Sequence, residues 1–163
     1  MELEQLYKDI QPNIYAFFYV KTLSKEVSED LTQEVFYQAI KGYQGFAGLS
    51  NVKTWVFAIA KNVLKKYYRS NRYRNGLTEQ LQLETLHIES SEEHFMKREE
   101  KRQLIQLIHQ LDELSKEVVT LRIYGELSFK EIGDLLEKSE NYARIMFHRA
   151  KLKMQKELSD DEG

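Results

Sequence analysis

Val52, Trp55, Val56, Ile59, Ala60, Val63, Leu64 and Tyr67 recur at i, i+3, i+4, i+7, i+8, i+11, i+12 and i+15. Only an α-helix gathers residues so spaced onto one side. The same periodicity runs through almost the whole chain, and no stretch alternates with period two for long enough to make a strand. An all-α fold is therefore expected. In 163 residues it is one domain or two small ones.

A first helix carries Leu3, Leu6, Tyr7, Ile10, Ile14, Phe17 and Phe18, with Pro12 inside the stripe as a kink or restart. Ser28 is the expected N-cap of a second, because Glu29 and Asp30 would then sit in a first turn where the helix dipole favours acids. That helix should bury Leu31, Val35, Phe36, Ala39, Ile40 and Tyr43, before Gly42, Gly45 and Gly48 punctuate a turn. The 52–67 helix closes this first core, with Trp55 assigned to its interior.

Further along, Leu104, Ile105, Leu107, Ile108 and Leu111 mark a fourth helix. Ser115 caps a fifth through Val118, Val119 and Leu121, and Gly125 suits its end. Ser128-Phe129-Lys130-Glu131 reads as a capping box opening a short helix that buries Phe129, Ile132, Leu135 and Leu136. Ser139 caps a last helix over about 140–157.

A net charge of −2 hides a strong asymmetry. Residues 46–74 hold seven basic side chains and no acid, 75–96 hold five glutamates and no Lys or Arg, and 140–156 hold five basic residues against Glu140 alone. Two cationic blocks separated by an acidic one are the electrostatic footprint of a nucleic-acid binder. The segment 75–93, with weaker periodicity and a Ser-Ser-Glu-Glu cluster, reads as a linker between domains at 1–74 and 94–163.

The absence of cysteine removes disulfides and thiolate metal sites, and favours an intracellular chain. No apolar run is long enough to cross a bilayer, and the amino-terminal residues are acidic where a signal peptide is basic. A cytoplasmic protein without membrane insertion is expected. The four histidines are scattered without ligand spacing and no glycine-rich phosphate loop is present, so neither a metal, a cofactor nor a catalytic site is expected.

Two surfaces can carry function. The helices at 128–157 have the proportions of a helix-turn-helix whose second helix enters the major groove, with Arg144, Arg149, Lys151 and Lys153 to reach phosphates or guanine edges. Gly133 on the first of them lets the second approach closely. The side of the 52–67 helix away from its apolar stripe is assigned Lys53, Phe57, Lys61, Asn62, Lys65, Tyr68, Arg69 and Arg72. Cations interleaved with rings suit a single strand, since rings stack on unpaired bases while cations follow the backbone. The second helix adds a polar face of Asp30, Gln33, Glu34, Gln38 and Lys41, able to dock a basic partner or simply to be solvated.

The run Ser28-Glu29-Asp30-Leu31-Thr32-Gln33-Glu34-Val35-Phe36, the run Lys53-Thr54-Trp55-Val56-Phe57-Ala58-Ile59-Ala60-Lys61-Asn62, and the terminal helix-turn-helix with Phe147-His148-Arg149-Ala150 together resemble a bacterial RNA polymerase sigma factor. The likeness is to the small extracytoplasmic-function group, which has only the second and fourth sigma domains. It spans nearly the whole chain, in order and in register.

The resemblance implies that Asp30, Gln33 and Glu34 dock on the clamp coiled coil of the largest polymerase subunit. It places minus-ten recognition and melting on Lys53, Phe57, Lys61, Asn62, Lys65, Tyr68 and Arg69. Minus-thirty-five contacts fall on Arg144, Ile145, His148 and Arg149, with Lys151 beside them, while the second domain meets the polymerase flap. The acidic linker corresponds to the connector that threads the polymerase near the RNA path. An anti-sigma factor, commonly membrane-anchored, is a further partner that the family brings, and RNA synthesis itself belongs to the polymerase. The chain departs from the family at Glu137-Lys138-Ser139, where a glycine and an apolar residue are usual, and at Ile145, which can meet a thymine methyl but makes no bidentate pair. From the residues without the resemblance, a helix-turn-helix regulator of duplex operator DNA and a helical adaptor are the competing readings.

Overall fold

The computed structural model describes residues 2–46, 51–70 and 92–162. Among them every regular element is helical: α1 (Glu2–Thr22), α2 (Lys25–Gly42), a 3-10 turn (Tyr43–Gly45), α3 (Val52–Ser70), α4 (Glu92–His109), α5 (Glu113–Ile123), α6 (Phe129–Leu136) and α7 (Glu140–Glu162). The chain divides into two compact units, Met1–Gln82 and Leu83–Gly163. Most of the acidic segment expected as a linker lies outside the described residues; its last two positions already open α4.

In the first unit, α1, α2 and α3 enclose Ile14, Phe17, Phe18, Val20, Val35, Ala39, Val56, Phe57 and Ala60, all essentially without exposure. α1 runs through Pro12 without restarting, and the proline lies exposed on its surface. Leu23 ends α1 in the left-handed region, with φ 57°. Its N–H still reaches the Tyr19 carbonyl at 2.8 Å, so the chain reverses within two residues. α2 therefore begins earlier than expected. Ser24, rather than Ser28, is its N-cap, accepting from the Val27 N–H at 3.2 Å. Ser28 is instead buried one turn into the helix, where its hydroxyl donates to the Ser24 carbonyl at 2.6 Å and pairs with the Thr22 hydroxyl at 3.1 Å. A polar residue that finds two such partners loses little on burial.

The second unit packs α5, α6 and α7 around Ile108, Val118, Val119, Leu121, Leu127 and Ile132. Asp112, rather than Ser115, caps α5, its carboxylate accepting from the Ser115 N–H at 3.3 Å. Those Ser115 hydrogen bonds favour the ionised carboxylate and hold Asp112 below its ordinary value. At the far end of α5 the residue that turns left-handed is Glu126, one beyond the expected glycine.

The capping box at α6 forms as its sequence requires, with the Glu131 N–H on Ser128 Oγ at 3.1 Å and the Ser128 N–H on the Glu131 carboxylate at 2.8 Å. Its other end carries paired carboxy-terminal bonds: the Lys138 N–H reaches the Gly133 carbonyl at 2.8 Å and the Glu137 N–H the Asp134 carbonyl at 3.4 Å. This motif needs a left-handed residue, and Glu137 supplies it at φ 59°. An L side chain is disfavoured there, so Glu137→Gly is expected to stabilise the second unit by about 0.5–1 kcal/mol after the extra chain entropy of glycine is offset. Thermal unfolding followed by circular dichroism would register it as a raised midpoint.

Candidate nucleic-acid interface

α3 starts on Asn51, whose side-chain oxygen accepts from the Thr54 N–H at 2.7 Å. Its interior side is Thr54, Val56, Phe57, Ala60, Val63 and Leu64. The stripe read from sequence is thus rotated by part of a turn, and two assignments change. Phe57 has 0% exposure and its ring meets Phe17 edge-on with centroids 5.9 Å apart. A ring so enclosed has no face to offer a base, and Phe57 belongs to the core. Trp55 moves the other way. It is half-buried in the first turn of α3, against Phe46 at 5.0 Å and beside Gly42, where an added Cβ would stand 3.5 Å from the indole.

The outward side of α3 carries Asn62, Lys65, Lys66 and Arg69, all exposed, with Lys53, Lys61 and Tyr68 half-buried along its flanks. Tyr68 donates its hydroxyl to the Lys21 carbonyl at 3.2 Å, tying the end of α3 to the end of α1 while its ring stays partly accessible. The arrangement can track a phosphate backbone with a half-open aromatic ring at one end.

On α2, Asp30, Gln33 and Glu34 are exposed as expected, and Gln38 donates to the Glu34 carboxylate at 2.8 Å. Two apolar residues share this outer side. Tyr37 is 61% exposed and Ile40 62%, with the Lys41 ammonium 5.6 Å from the Tyr37 ring centroid. Ile40 was expected in the core, and Leu31 is only half-buried. Thr32 and Ser28 take the interior places, and Thr32 is made tolerable there by a 2.6 Å bond to the Ser28 carbonyl.

α6 and α7 form the helix-turn-helix. Ser139 caps α7 by accepting from the Tyr142 N–H at 3.0 Å, and Ala143, Ala150 and Met154 are its buried positions. Arg144, Ile145, His148, Arg149 and Lys151 all lie exposed. Gly133 meets the turn as its missing side chain suggested: a Cβ there would stand 2.7 Å from the Lys138 carbonyl oxygen and 2.9 Å from the Ser139 carbonyl carbon. Among the described residues no group of three His, Asp or Glu side chains could hold a metal ion, and no helix is long and apolar enough to cross a membrane.

Two helical units, one ending in a helix-turn-helix with a cationic second helix, define a DNA-binding transcription protein. Sigma-70 region 2 matches residues 6–74 and Sigma-70, region 4 matches 101–154. The RNA polymerase sigma factor YlaC of Bacillus subtilis is 26% identical over 159 residues, covering 96% of this chain and 92% of its own. The extracytoplasmic-function sigma factor SigM of the same organism is 27% identical over 155 residues, with 94% of each chain covered. Among solved structures, the sigma factor RpoE of Bartonella quintana, in complex with the anti-sigma factor NepR, shares the fold with a TM-score of 0.70 at 17% identity over 97% of both chains. The chain belongs to the extracytoplasmic-function group of the sigma-70 family. Its function is that of a sigma factor, binding RNA polymerase and recognising promoters.

Proposed function

We propose a division of this function among three helix faces and one connector. The exposed side of α2, with Asp30, Gln33 and Glu34, docks on the clamp coiled coil of the largest polymerase subunit, and Tyr37 and Ile40 extend it with apolar area. The outward side of α3 takes the minus-ten element as it opens, with Lys53, Lys61, Asn62, Lys65, Tyr68 and Arg69 along the strand and Trp55 replacing Phe57 as the accessible ring. α7 reads the minus-thirty-five element in the major groove through Arg144, Ile145, His148 and Arg149, with Lys151 on the backbone, while the second unit rests on the polymerase flap.

The domains are assigned to 1–74 and 94–163, and the acidic connector between them to the RNA path. The protein works in the cytoplasm, where polymerase and promoter DNA are found, and supplies no catalytic group, since RNA synthesis is the polymerase's chemistry. The RpoE relative is held by an anti-sigma factor, and control of the same kind is proposed here.

The observation that carries this division is the charge of the α3 face. Asn62, Lys65, Lys66 and Arg69 are all exposed on a helix that carries a half-buried tryptophan in its first turn, and the segment from 46 to 74 contains no acid to oppose a phosphate chain. A regulator of duplex operator DNA would have no use for it.

Reconstitution with bacterial core polymerase separates the three faces. Asp30→Arg is expected to weaken core binding about tenfold or more, the effect of a reversed charge within an interface, while chain that does bind still selects promoters. Asn62→Ala combined with Lys65→Ala is expected to leave core binding intact and to slow strand opening, read by permanganate reactivity of unpaired thymines. Unchanged core affinity in the Asp30 variant would remove the docking assignment; tight binding of the isolated chain to duplex operator DNA would favour the helix-turn-helix regulator instead.

A further inference from the structure

The first turns of α7 hold an arrangement that the division of faces does not use. The Arg144 guanidinium donates through Nη2 to the Glu140 carboxylate at 3.1 Å, and its central carbon lies 5.4 Å from the centroid of the Phe129 ring. That ring is itself fixed. Arg122 covers it at 4.3 Å while donating Nη1 to the Leu127 carbonyl at 3.0 Å, and Phe147 packs against it at 5.6 Å. Arg144 is thus the exposed member of a cluster whose other members, Arg122, Phe129 and Phe147, are half-buried.

We propose that Glu140 and Phe129 are positioning residues that fix the guanidinium of Arg144 for reading one base pair of the minus-thirty-five element; this rests on the assignment of that element to α7. A free arginine on a helix surface samples many rotamers and meets phosphates and bases alike. Here one donor nitrogen is engaged by a carboxylate four residues back and the cation lies within cation–π distance of an aromatic ring. The remaining donors of the fork stay available for the paired acceptors of a guanine, O6 and N7.

The ion pair does little for the fold, since its side chains are 53% and 51% exposed and such pairs are screened by water and salt. Its effect is on orientation. Glu140 is also the one acid between residues 140 and 156. On a surface that meets a polyanion it opposes sequence-independent binding, so the same carboxylate raises selectivity in two ways.

A negative charge at a helix start also favours the dipole, and the experiment separates that role from positioning. Glu140→Asp keeps the charge in the first turn of α7 but shortens the reach to Arg144. Glu140→Gln keeps reach and an acceptor but removes the charge. Phe129→Leu keeps apolar packing and removes the ring.

Each full-length variant, with core polymerase, is assayed for binding to a promoter library randomised across the minus-thirty-five element, and its unfolding is followed alongside. Arg144→Ala is expected to lower preference at one base pair by about five- to a hundredfold. Glu140→Asp and Phe129→Leu should lower preference at that same pair by about three- to tenfold, with Glu140→Asp melting as the parent does. Glu140→Gln should retain more of the preference while binding all sequences a few-fold more tightly, about the effect of one removed phosphate repulsion.

Preference lost with Arg144→Ala but kept with both Glu140→Asp and Phe129→Leu would overturn the positioning role and leave the α7 assignment standing. A uniform loss at every position with a lowered melting midpoint in Glu140→Asp would reduce Glu140 to a helix-start residue and overturn it as well. No change with Arg144→Ala would remove α7 from that part of the element, and the positioning role with it.

Discussion

Phe57→Ala is expected to destabilise the first unit by about 3–5 kcal/mol, the range for emptying the site of a fully buried phenylalanine. Phe57 has no exposure and meets Phe17 edge-on, with Val56 and Ala60 enclosed on the same side of α3. A close-packed core relaxes only partly into such a space, so the loss includes a cavity term beyond the transfer of the ring. The chain has one tryptophan, Trp55, and it belongs to this unit, so urea unfolding followed by its fluorescence isolates the effect. A midpoint unchanged from the parent would return Phe57 to the surface and restore it as a base-stacking ring.

The companion substitution, Trp55→Ala, separates contact from core, because removing a half-buried indole loses less packing than removing a fully buried ring, while a stacked base is worth roughly 1–3 kcal/mol. Its loss should be felt in promoter opening more than in stability.

The second large effect is expected at Gly133. Adding one methyl there, Gly133→Ala, brings Cβ to 2.7 Å from the Lys138 carbonyl oxygen and 2.9 Å from the Ser139 carbonyl carbon. Both are backbone atoms, so no side chain can swing aside. The same turn is pinned by the Lys138 N–H on the Gly133 carbonyl and by Ser139 capping α7. Alanine ordinarily improves a helix over glycine by about 0.5–1 kcal/mol. Here the clash outweighs that gain, and a net loss of about 1–3 kcal/mol is expected.

The functional consequence follows from the fold. Relief of the clash moves the start of α7 away from α6, and with it Arg144 and Ile145 in its first turns. Transcription from promoters that depend on the minus-thirty-five element should fall, while binding to core polymerase through the first unit persists. Backbone amide exchange in α6 and α7 provides the structural readout, because the second unit contains no tryptophan. Parental stability together with parental transcription in Gly133→Ala would mean that the turn yields at no cost.

Local chemistry made much of this molecule legible before its structure. The capping box at Ser128 and Glu131 needs only four consecutive residues, and it forms as read. Ser139 caps α7 for the same reason. The exposed acids and amides of α2 and the cations of α7 follow from charge, which no packing rearrangement can hide cheaply. The identity of the family was also legible, because three motifs in register are a property of sequence order.

Caps that compete were not decided locally. Ser28 was the expected N-cap of α2 and Ser24 is the actual one, a choice that fell to Leu23. Its left-handed turn, with the side chain buried, starts α2 one turn early and carries Ser28 into contact with Thr22 of α1. At α5 the expected cap was Ser115, and Asp112, three residues earlier, takes that place.

The rotation of α3 is the clearest case of tertiary control. Val52, Trp55, Val56, Phe57, Ala58, Ile59, Ala60, Val63 and Leu64 make an apolar arc so wide that periodicity accepts either flank as the interior. The sequence by itself determined that 52–67 is an amphipathic helix with a cationic face. Which aromatic ring lies inside was settled only when Phe17 of α1 came to rest against it. A close-packed core has room there for Phe57, and the indole of Trp55 is left at the edge, partly open to what binds.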